Sequence, residues 1–266
     1  MHPLVNIAVS AARAAGNQIM RHLDRVDTLQ VTRKARNDFV SEVDRNAERE
    51  IISIIRKAYP QHAVLGEEFG QDGDNEVVWI IDPLDGTTNF LHRFPHFAVS
   101  IGIQVRGKLE HGVIYAPCTQ DLYTASRGGG AQLNNRRIRV SGAKEMESAL
   151  IGTGVPIRAA NLDAYLPMLR NIVETTAGVR RAGAASLDLA YVAAGRLDAY
   201  WELGLKPWDI AAGLVLVQEA GGITSEIYGA ADPLQSGHVL AATPKLHTFL
   251  AESLAKAAQA ANGSTD

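Results

Sequence analysis

The 266-residue sequence contains a single cysteine, Cys118, and no long apolar run. One cysteine excludes an intramolecular disulfide framework and is typical of proteins in a reducing compartment. No segment approaches the roughly 20 apolar residues that a membrane-spanning helix needs. The first residues also lack the basic head and apolar run of a signal peptide. We therefore expect a soluble, cytoplasmic protein.

An excess of charge of one sign is also lacking. The sequence has 26 Lys and Arg residues against 29 Asp and Glu residues, a formal net charge of −3. This balance gives no electrostatic reason to expect binding to nucleic acid or to a membrane surface. Motifs of several enzyme classes are missing as well. The eight histidines show no HExxH spacing, no GxSxG segment occurs, and the glycines at 128–130 lack a P-loop lysine.

Hydrophobic residues make up 46% of the sequence, enough for a sizeable core. Apolar spacing predicts helices over 4–23, 43–58, 162–176, 186–194, 209–220 and 244–260. Strands are predicted at 64–65, 77–81, 98–105, 109–115, 122–125, 138–140, 150–153, 199–203, 223–226 and 239–242, with a surface loop over 71–76. The pattern changes from α+β to α/β near residue 140. We therefore expect two layered halves, 1–140 and 141–266, in one compact unit.

Residues 77–90, VVWIIDPLDGTTNF, carry the strongest chemical signal. Asp82 in the first position and Pro83 in the second predict a β-turn, which brings its ends within about 7 Å. At about 5 Å and an effective dielectric near 20, the Asp82 and Asp85 carboxylates would repel by roughly 3 kcal/mol. A bound divalent cation offsets this repulsion most directly. Mg²⁺ prefers carboxylate, carbonyl and water oxygens, and Leu84 can offer its carbonyl.

The residues after these aspartates suit a phosphate group. Gly86 lets the backbone approach a ligand closely. If Thr87 and Thr88 open a short helix, their free N–H groups form an anion site. Carboxylates that bind metal beside a phosphate cradle indicate phosphoryl chemistry. The alternative at this point is that Asp-Pro-x-Asp-Gly is an ordinary surface turn.

Other acidic residues could reach the same place, although each also has a plain structural explanation. Glu67 and Glu68 follow a short predicted strand and could instead be an exposed acidic pair. Asp44 has the spacing of a capping box, and Asp209 could be an ordinary helix N-cap. Glu202 lies late in a predicted strand, where a charge needs a reason.

Three motifs in this order resemble the inositol monophosphatase family: GEE at 66–68, WIIDPLDGTTNF at 79–90 and WDIAAGLVLVQEAGG at 208–222. DFVSEVD at 38–44 is similar to the family's segment with a catalytic aspartate. The resemblance extends over essentially the whole chain. It implies an α+β and α/β layered αβαβα sandwich of the inositol monophosphatase and fructose-1,6-bisphosphatase type, usually dimeric. It also implies a Mg²⁺-dependent, Li⁺-sensitive phosphomonoesterase site between the halves.

The resemblance implies a metal role for several acidic positions. A first ion would be held by Glu67, Asp82, the carbonyl of Leu84 and Asp85. Asp82, Asp85 and Asp209 match the ligands of a second ion, and two or three Mg²⁺ ions are expected in all.

The resemblance also implies catalytic and substrate roles. Thr87 and Asp44 match the pair that orients the attacking water, and Glu67 helps through its metal ion. Gly86 and Thr87 match the phosphate cradle. The residues expected at the substrate are Glu67, Leu84, Asp85, Gly86, Thr87, Arg180, Ala185, Glu202 and Asp209.

The implied substrate is inositol 1-phosphate or a similar small polyol monophosphate. Related families act on fructose bisphosphate, phosphoadenosine phosphates or histidinol phosphate, and a single carboxylate at Glu202 does not choose among them. Segments 1–17, 37–44 and 187–196 resemble a bacterial branch of the family associated with antitermination of ribosomal RNA transcription. That branch implies NusA and RNA polymerase as partners. Arg180 and Arg181 are the first surface to test for such binding.

Overall fold

The computed structural model describes the backbone of residues 2–28, 31–35, 38–156, 159–229 and 232–262, and side chains there except at 28, 31–41, 157–161 and 258–262. The α-helices are α1 (Pro3–Leu23), α2 (Glu42–Ala58), α3 (Thr87–Leu91), α4 (Ala159–Thr175), α5 (Ala185–Ala193), α6 (Pro207–Glu219), α7 (Pro233–Ser236) and α8 (Pro244–Asn262). Single 3₁₀ turns occupy Val26–Thr28 and Met146–Ser148.

The strands of the first half are β1 (Val31–Ala35), β2 (Asp38–Ser41), β3 (Ala63–Gly66), β4 (Gly70–Asp72), β5 (Val77–Asp85), β6 (Ala98–Val105), β7 (Lys108–Ala116), β8 (Asp121–Ser126), β9 (Gly130–Leu133) and β10 (Arg136–Arg137). Those of the second half are β11 (Leu150–Thr153), β12 (Gly178–Arg180), β13 (Ala199–Glu202), β14 (Ile223–Ser225) and β15 (Val239–Ala242).

Two sheets organise these elements. An eight-stranded sheet has the order β10-β9-β8-β7-β6-β5-β3-β4, and a five-stranded sheet has the order β12-β11-β13-β15-β14. Strand β3 runs parallel to β5, whereas the consecutive pairs from β5–β6 to β8–β9 are antiparallel. Strands β1 and β2 form a separate hairpin. The eight-stranded sheet lies within the predicted first half, and the five-stranded sheet lies within the predicted second half. The division into halves at residue 140 stays a prediction.

Successive side chains of a strand point to opposite faces of its sheet, so both faces of each sheet can be buried. The buried residues form three clusters, and the helices and sheets form five layers. One cluster joins α1 and α2 to one face of the first sheet, through side chains such as Trp79 and Ile101. The second holds α5 and α6 between the two sheets. The third joins α4 and α8 to the outer face of the second sheet, where Trp201 packs. Tyr200, the residue before it, faces the middle layer, because neighbouring side chains on a strand point to opposite faces of the sheet. The expected αβαβα sandwich is confirmed.

Glycines on the inner face of the first sheet let helix α6 approach closely. A Cβ at Gly102 would lie 2.6 Å from the Ala211 Cβ, and one at Gly112 would lie 2.4 Å from the Ala212 carbonyl oxygen. Real Cβ atoms do not come this near a backbone oxygen. The glycines therefore allow α6 to lie close to the sheet, and α6 carries Asp209 in its first turn.

Gly112→Ala is expected to lower the free energy of unfolding by about 1–3 kcal/mol, because the added methyl must push α6 off the sheet. Urea unfolding followed by circular dichroism measures the change. Gly142→Ala is the matched control, since a Cβ there meets open space. Equal stability of the two variants would contradict the close packing of α6.

Most predicted elements are confirmed, but several local predictions are wrong. Residues 138–140 are not a strand: Ile138 donates its N–H to Ala131, and the strand pairing with β9 lies earlier, in β10. The predicted loop over 71–76 begins inside β4, because Gln71 and Asp72 pair with β3. The hairpin of β1 and β2 and the short edge strand β12 were not predicted. No helix of the described ranges combines the length and apolar character needed to cross a membrane.

Candidate active site

Asp82 and Asp85 lie at the end of β5, and the chain there continues as a strand. Asp82 pairs with Ser100 and Asp85 with Ala98, so three steps along β5 match two along β6. The predicted β-turn at 82–85 is therefore wrong, and a β-bulge takes its place. Pro83 has no N–H for the ladder, which suits a bulge, and strand pairing outweighs the local preference for a turn. The bulge still brings both carboxylates to one edge of the sheet.

Helix α3 begins at Thr87, separated from Asp85 only by Gly86, as the hypothesis of a phosphate cradle requires. Gly86 precedes it with φ 90°, a left-handed conformation that glycine adopts without strain. A Cβ at this position would also lie 3.0 Å from the His96 carbonyl oxygen. The turn thus requires glycine, and it leaves the first N–H groups of α3 next to the carboxylates.

Thr87 and Asp44 are in direct contact, although they are far apart in sequence. The Thr87 hydroxyl lies 2.9 Å from Asp44 Oδ1 and 3.1 Å from the Leu84 carbonyl oxygen. The hydroxyl carries one proton, so at any moment it donates mainly to one of these two oxygens. When the hydroxyl donates to Asp44, the Leu84 carbonyl keeps its lone pairs for another partner.

Glu67 follows β3, and a buried carboxylate from α2 holds the turn that carries it. Glu48 is fully buried and accepts the N–H groups of Glu68 at 2.9 Å and Phe69 at 3.1 Å. A Cβ at Gly66 would lie 2.0 Å from Glu48 Oε1, so glycine makes room for this contact. Glu48 was not predicted as part of the site.

The second half supplies Asp209 and the start of α5. Asp209 is the third residue of α6, and its Oδ2 accepts the Lys206 N–H at 2.7 Å, the back half of a capping box. Asp85 Oδ2 accepts both the N–H and the hydroxyl of Ser186, at 2.7 and 2.5 Å. Asn89 of α3 donates to the Ala182 carbonyl at 2.8 Å and so ties the two halves together beside the cleft.

The carboxylates act on one another electrostatically. Burial raises the pKa of Asp82 well above its ordinary value, and the charges of Glu67, Asp85 and Asp209 raise it further. Burial raises the pKa of Asp85 to about 6, against hydrogen bonds from Ser186. Burial and then the charge of Asp85 raise the pKa of Asp209 well above its ordinary value. Four acidic groups therefore share one low-dielectric cleft.

This donor set fits a hard divalent cation. Its atoms are carboxylate oxygens and the Leu84 carbonyl, the ligands that Mg²⁺ prefers. The groups that oppose the raised pKa values of Asp82, Asp85 and Asp209 are hydrogen-bond donors such as the Leu84, Ser186 and Lys206 N–H groups. A cation would offset the repulsion that these donors leave. Within the described residues, no three His, Cys, Asp or Glu side chains already have the arrangement of a metal centre.

The predicted substrate residues divide into two groups. Ala185 opens α5 next to Asp85, and Glu202 ends β13 on the face that Tyr200 also occupies, with the Tyr200 hydroxyl donating to it. Burial raises the pKa of Glu202 to about 7. Arg180, by contrast, is exposed on β12 and donates to the Val179 carbonyl at 3.0 Å.

Arg181 and Asp188 were not predicted as site residues, yet each interacts electrostatically with Glu202. Arg181 lowers the pKa of Glu202, while burial and the charge of Glu202 raise the pKa of Asp188. Asp188 is 2% exposed, and its Oδ1 has no hydrogen-bond partner among the described residues. An aspartate inside the otherwise apolar helix 186–194 was the signal that could have identified it.

The pKa shifts predict how pH changes stability in the absence of a cation. Because burial raises the folded-state pKa of Asp85 from 3.8 to about 6 and that of Glu202 from 4.5 to about 7, folding favours their protonated forms. That contribution is complete below the ordinary values and is lost as pH rises through about 6 and 7. We expect the Tm in EDTA to fall by on the order of 5 °C between pH 5 and 7.5.

Differential scanning calorimetry at constant ionic strength measures this fall. Asp85→Asn is the informative comparison, since asparagine does not titrate and should flatten the profile. A wild-type profile that matches the Asp85→Asn profile across this pH window would contradict the shift. Mg²⁺ should raise the Tm more at pH 7.5 than at pH 5, because protons compete with the cation for the same oxygens.

Comparisons with known proteins agree with this architecture. Residues 1–260 match the model of the inositol monophosphatase family. The chain is 56% identical to Nus factor SuhB of Pseudomonas aeruginosa over 252 residues, 92% of this chain and 93% of that protein.

Solved structures give the same result. The crystal structure of the extragenic suppressor protein SuhB from Bartonella henselae is 43% identical, with a TM-score of 0.93 over 96% of this chain and 99% of that one. Inositol monophosphatase from Anabaena is 38% identical, with a TM-score of 0.85 over 95% of each chain. With the five layers, the acidic cleft and a match from residue 1 to residue 260, this chain belongs to the inositol monophosphatase family.

Proposed function

We propose that this protein is a Mg²⁺-dependent phosphomonoesterase that hydrolyses inositol 1-phosphate or a similar small polyol monophosphate. The observation that carries the proposal is the shared cleft of Glu67, Asp82, Asp85 and Asp209. It lies beside the glycine turn that starts α3. Burial raises the pKa of Asp82, Asp85 and Asp209, and acidic groups that repel one another beside an anion-binding turn are suited to phosphoryl transfer and costly otherwise.

Each residue of the cleft has a task in this proposal. Glu67, Asp82, Asp85, Asp209 and the Leu84 carbonyl would hold two or three Mg²⁺ ions. When bound, Mg²⁺ lowers the pKa of water and offsets the charge on the phosphate and the leaving oxygen. The carboxylates do not attack phosphorus themselves.

The remaining chemistry belongs to the Thr87–Asp44 pair and the turn before it. When it donates its hydrogen bond to Asp44, the Thr87 hydroxyl keeps lone pairs that can accept a hydrogen bond from the attacking water and orient it. The close backbone approach at Gly86 and the first N–H groups of α3 would hold phosphate oxygens. In these roles the residues hold the water and the phosphate in a reactive orientation before the chemical step begins.

The far end of the cleft would recognise the alcohol part of the substrate. Ala185, Glu202 and Asp209 would face its hydroxyl groups. Glu202 can accept a hydrogen bond when ionised and donate one when protonated, and its pKa of about 7 allows both near neutrality. Arg181 is better placed than Arg180 to act here, because its charge reaches Glu202 and Asp188.

A substrate panel tests the proposal. Inositol 1-phosphate, fructose 1,6-bisphosphate, 3′-phosphoadenosine 5′-phosphate and histidinol phosphate would be assayed with Mg²⁺, with Mg²⁺ and Li⁺, and with EDTA. We expect Mg²⁺-dependent, Li⁺-inhibited release of phosphate, fastest from inositol 1-phosphate. Hydrolysis that continues in EDTA, or no hydrolysis of any monoester with Mg²⁺, would refute the proposal.

A second function is supported by the relatives named Nus factor SuhB. We propose that the protein also binds NusA and RNA polymerase in antitermination of ribosomal RNA transcription, as a cytoplasmic homodimer. A catalytic cleft and a protein-binding face can coexist on one chain. The exposed Arg180 and Arg181 remain the first surface to test.

Pull-down with purified NusA separates the two functions. Asp85→Asn should lose phosphatase activity and keep NusA binding if the functions are independent. Arg180→Ala should weaken NusA binding and keep activity, because this side chain is exposed and donates to the backbone of its own strand. Arg106→Ala on the hairpin of β6 and β7, an exposed arginine paired with Glu76, is the matched control. If neither the wild type nor any variant binds NusA, this second proposal is refuted.

A further inference from the structure

We propose that Ser186 is a positioning residue: its hydroxyl orients the Asp85 carboxylate for Mg²⁺ and couples occupation of the cleft by the cation to helix α5. This inference deepens the proposed function and rests on it. Ser186 is not one of the residues expected at the metal or the substrate.

The contact is closely defined. Ser186 is fully buried, and both of its donors reach the same oxygen of Asp85. The N–H lies 2.7 Å and the hydroxyl 2.5 Å from Oδ2, across 101 residues of sequence. Two donors on one oxygen make the two carboxylate oxygens inequivalent. Oδ1 is left without a bond from Ser186.

The same contact completes the start of α5. The N-cap residue of this helix is Ala184, which has no side-chain acceptor for the free N–H groups of the first turn. Asp85 from the other half of the chain supplies that acceptor. A carboxylate at a helix N-terminus is favoured by the helix dipole as well as by its hydrogen bonds. Asp85 is therefore both a predicted metal ligand and the cap of α5.

The hydroxyl contributes what the backbone cannot. If the hydroxyl is removed, the carboxylate keeps the backbone N–H groups of Ala185, Ser186 and Leu187 but loses the side-chain donor on Oδ2. Hydrogen bonds to ligating carboxylates set their orientation, and loss of such partners typically weakens metal affinity by about 10- to 100-fold. Because Asp85 caps α5, a cation that fixes Asp85 also steadies the helix that begins with Ala185 and contains Asp188.

The chain offers a matched control for this serine. The Ser141 hydroxyl lies 2.5 Å from Asp198 Oδ1, and the other oxygen of Asp198 accepts the Leu150 N–H at 2.7 Å. Ser141→Ala thus deletes a serine–aspartate hydrogen bond of equal length outside the acidic cleft. Any general cost of losing such a bond will be seen in both variants.

The experiment compares the wild type, Ser186→Ala, Ser186→Thr and Ser141→Ala. Mg²⁺ binding is measured by isothermal titration calorimetry, and the effect on α5 by hydrogen exchange of peptides that cover residues 185–193 with and without Mg²⁺. We expect Ser186→Ala to raise the Mg²⁺ dissociation constant about tenfold, with turnover at saturating Mg²⁺ little changed. Mg²⁺ should slow exchange in α5 in the wild type and Ser141→Ala, and less so in Ser186→Ala.

Restored affinity in Ser186→Thr, which keeps the hydroxyl, would support the assignment. If Thr at this buried position prevents folding, the comparison of the two alanine variants still decides. Wild-type affinity and wild-type protection of α5 in Ser186→Ala overturn the inference and leave the proposed function intact. Failure of the wild type itself to bind Mg²⁺ or to hydrolyse any monoester refutes the proposed function and, with it, this inference.

Discussion

Asp85→Asn is expected to lower kcat/KM for Mg²⁺-dependent phosphate release by at least about 1,000-fold, because it removes a charge proposed to hold both ions. The fold should survive. Asparagine keeps a carbonyl oxygen where Asp85 Oδ2 accepts the Ser186 donors, so the start of α5 retains its acceptor. The variant also removes one of the repulsions that raise the pKa of Asp82.

Initial rates over a range of Mg²⁺ concentrations measure this effect, and circular dichroism checks the fold. Asp198→Asn is the control, since Asp198 is also bonded to a serine hydroxyl and a backbone N–H but lies outside the cleft. Turnover by Asp85→Asn within a few-fold of the wild type would mean that Asp85 is not a metal ligand. A large loss in Asp198→Asn would point to a fold-wide effect of the substitution.

Thr87→Ala should have the second largest effect, a fall in kcat of about 100- to 1,000-fold. The substitution deletes the hydroxyl that contacts Asp44 and is proposed to orient the attacking water. It leaves the carboxylates and the backbone N–H groups of α3 in place. We therefore expect Mg²⁺ affinity and KM to stay close to the wild-type values, which separates orientation of water from metal binding.

Steady-state kinetics and calorimetric Mg²⁺ titration of the same preparation give both quantities. Thr175→Ala on α4, where the hydroxyl donates to the Asn171 carbonyl at 2.8 Å, is the control for losing a threonine hydrogen bond. A parallel loss of Mg²⁺ affinity in Thr87→Ala would indicate that Thr87 acts through the metal site. Unchanged turnover would remove Thr87 and Asp44 from the mechanism.

The long helices and the central strands could be predicted from the sequence because their apolar spacing matches the structure directly. The acidic turn shows the limit of that approach. Asp82-Pro83 favours a turn locally, but pairing with β6 keeps the chain extended, and such pairing depends on residues far along the sequence. The charge of Asp85 still raises the pKa of Asp82, although the predicted backbone was wrong.

The residues that support the site were harder to predict. Ser186 and Asn89 act through contacts with partners about 100 residues away, and a lone serine or asparagine carries no pattern. Glu48 did leave a signal. With Asp44 it continues the stripe of Ile51 and Ile55 on the buried face of α2, where acidic residues need partners. Arg180 was predicted at the substrate, but the charge that lowers the pKa of Glu202 and Asp188 is that of its neighbour Arg181.

Helix α6 has a consequence for the order in which the chain assembles. The glycine-lined face of the eight-stranded sheet is covered by a helix that follows all eight of its strands in sequence. During synthesis on the ribosome, this face of the sheet stays exposed to solvent until residues 207–219 have emerged. We expect nascent chains that stop before α6 to bind chaperones, whereas chains extended past it should become protease-resistant.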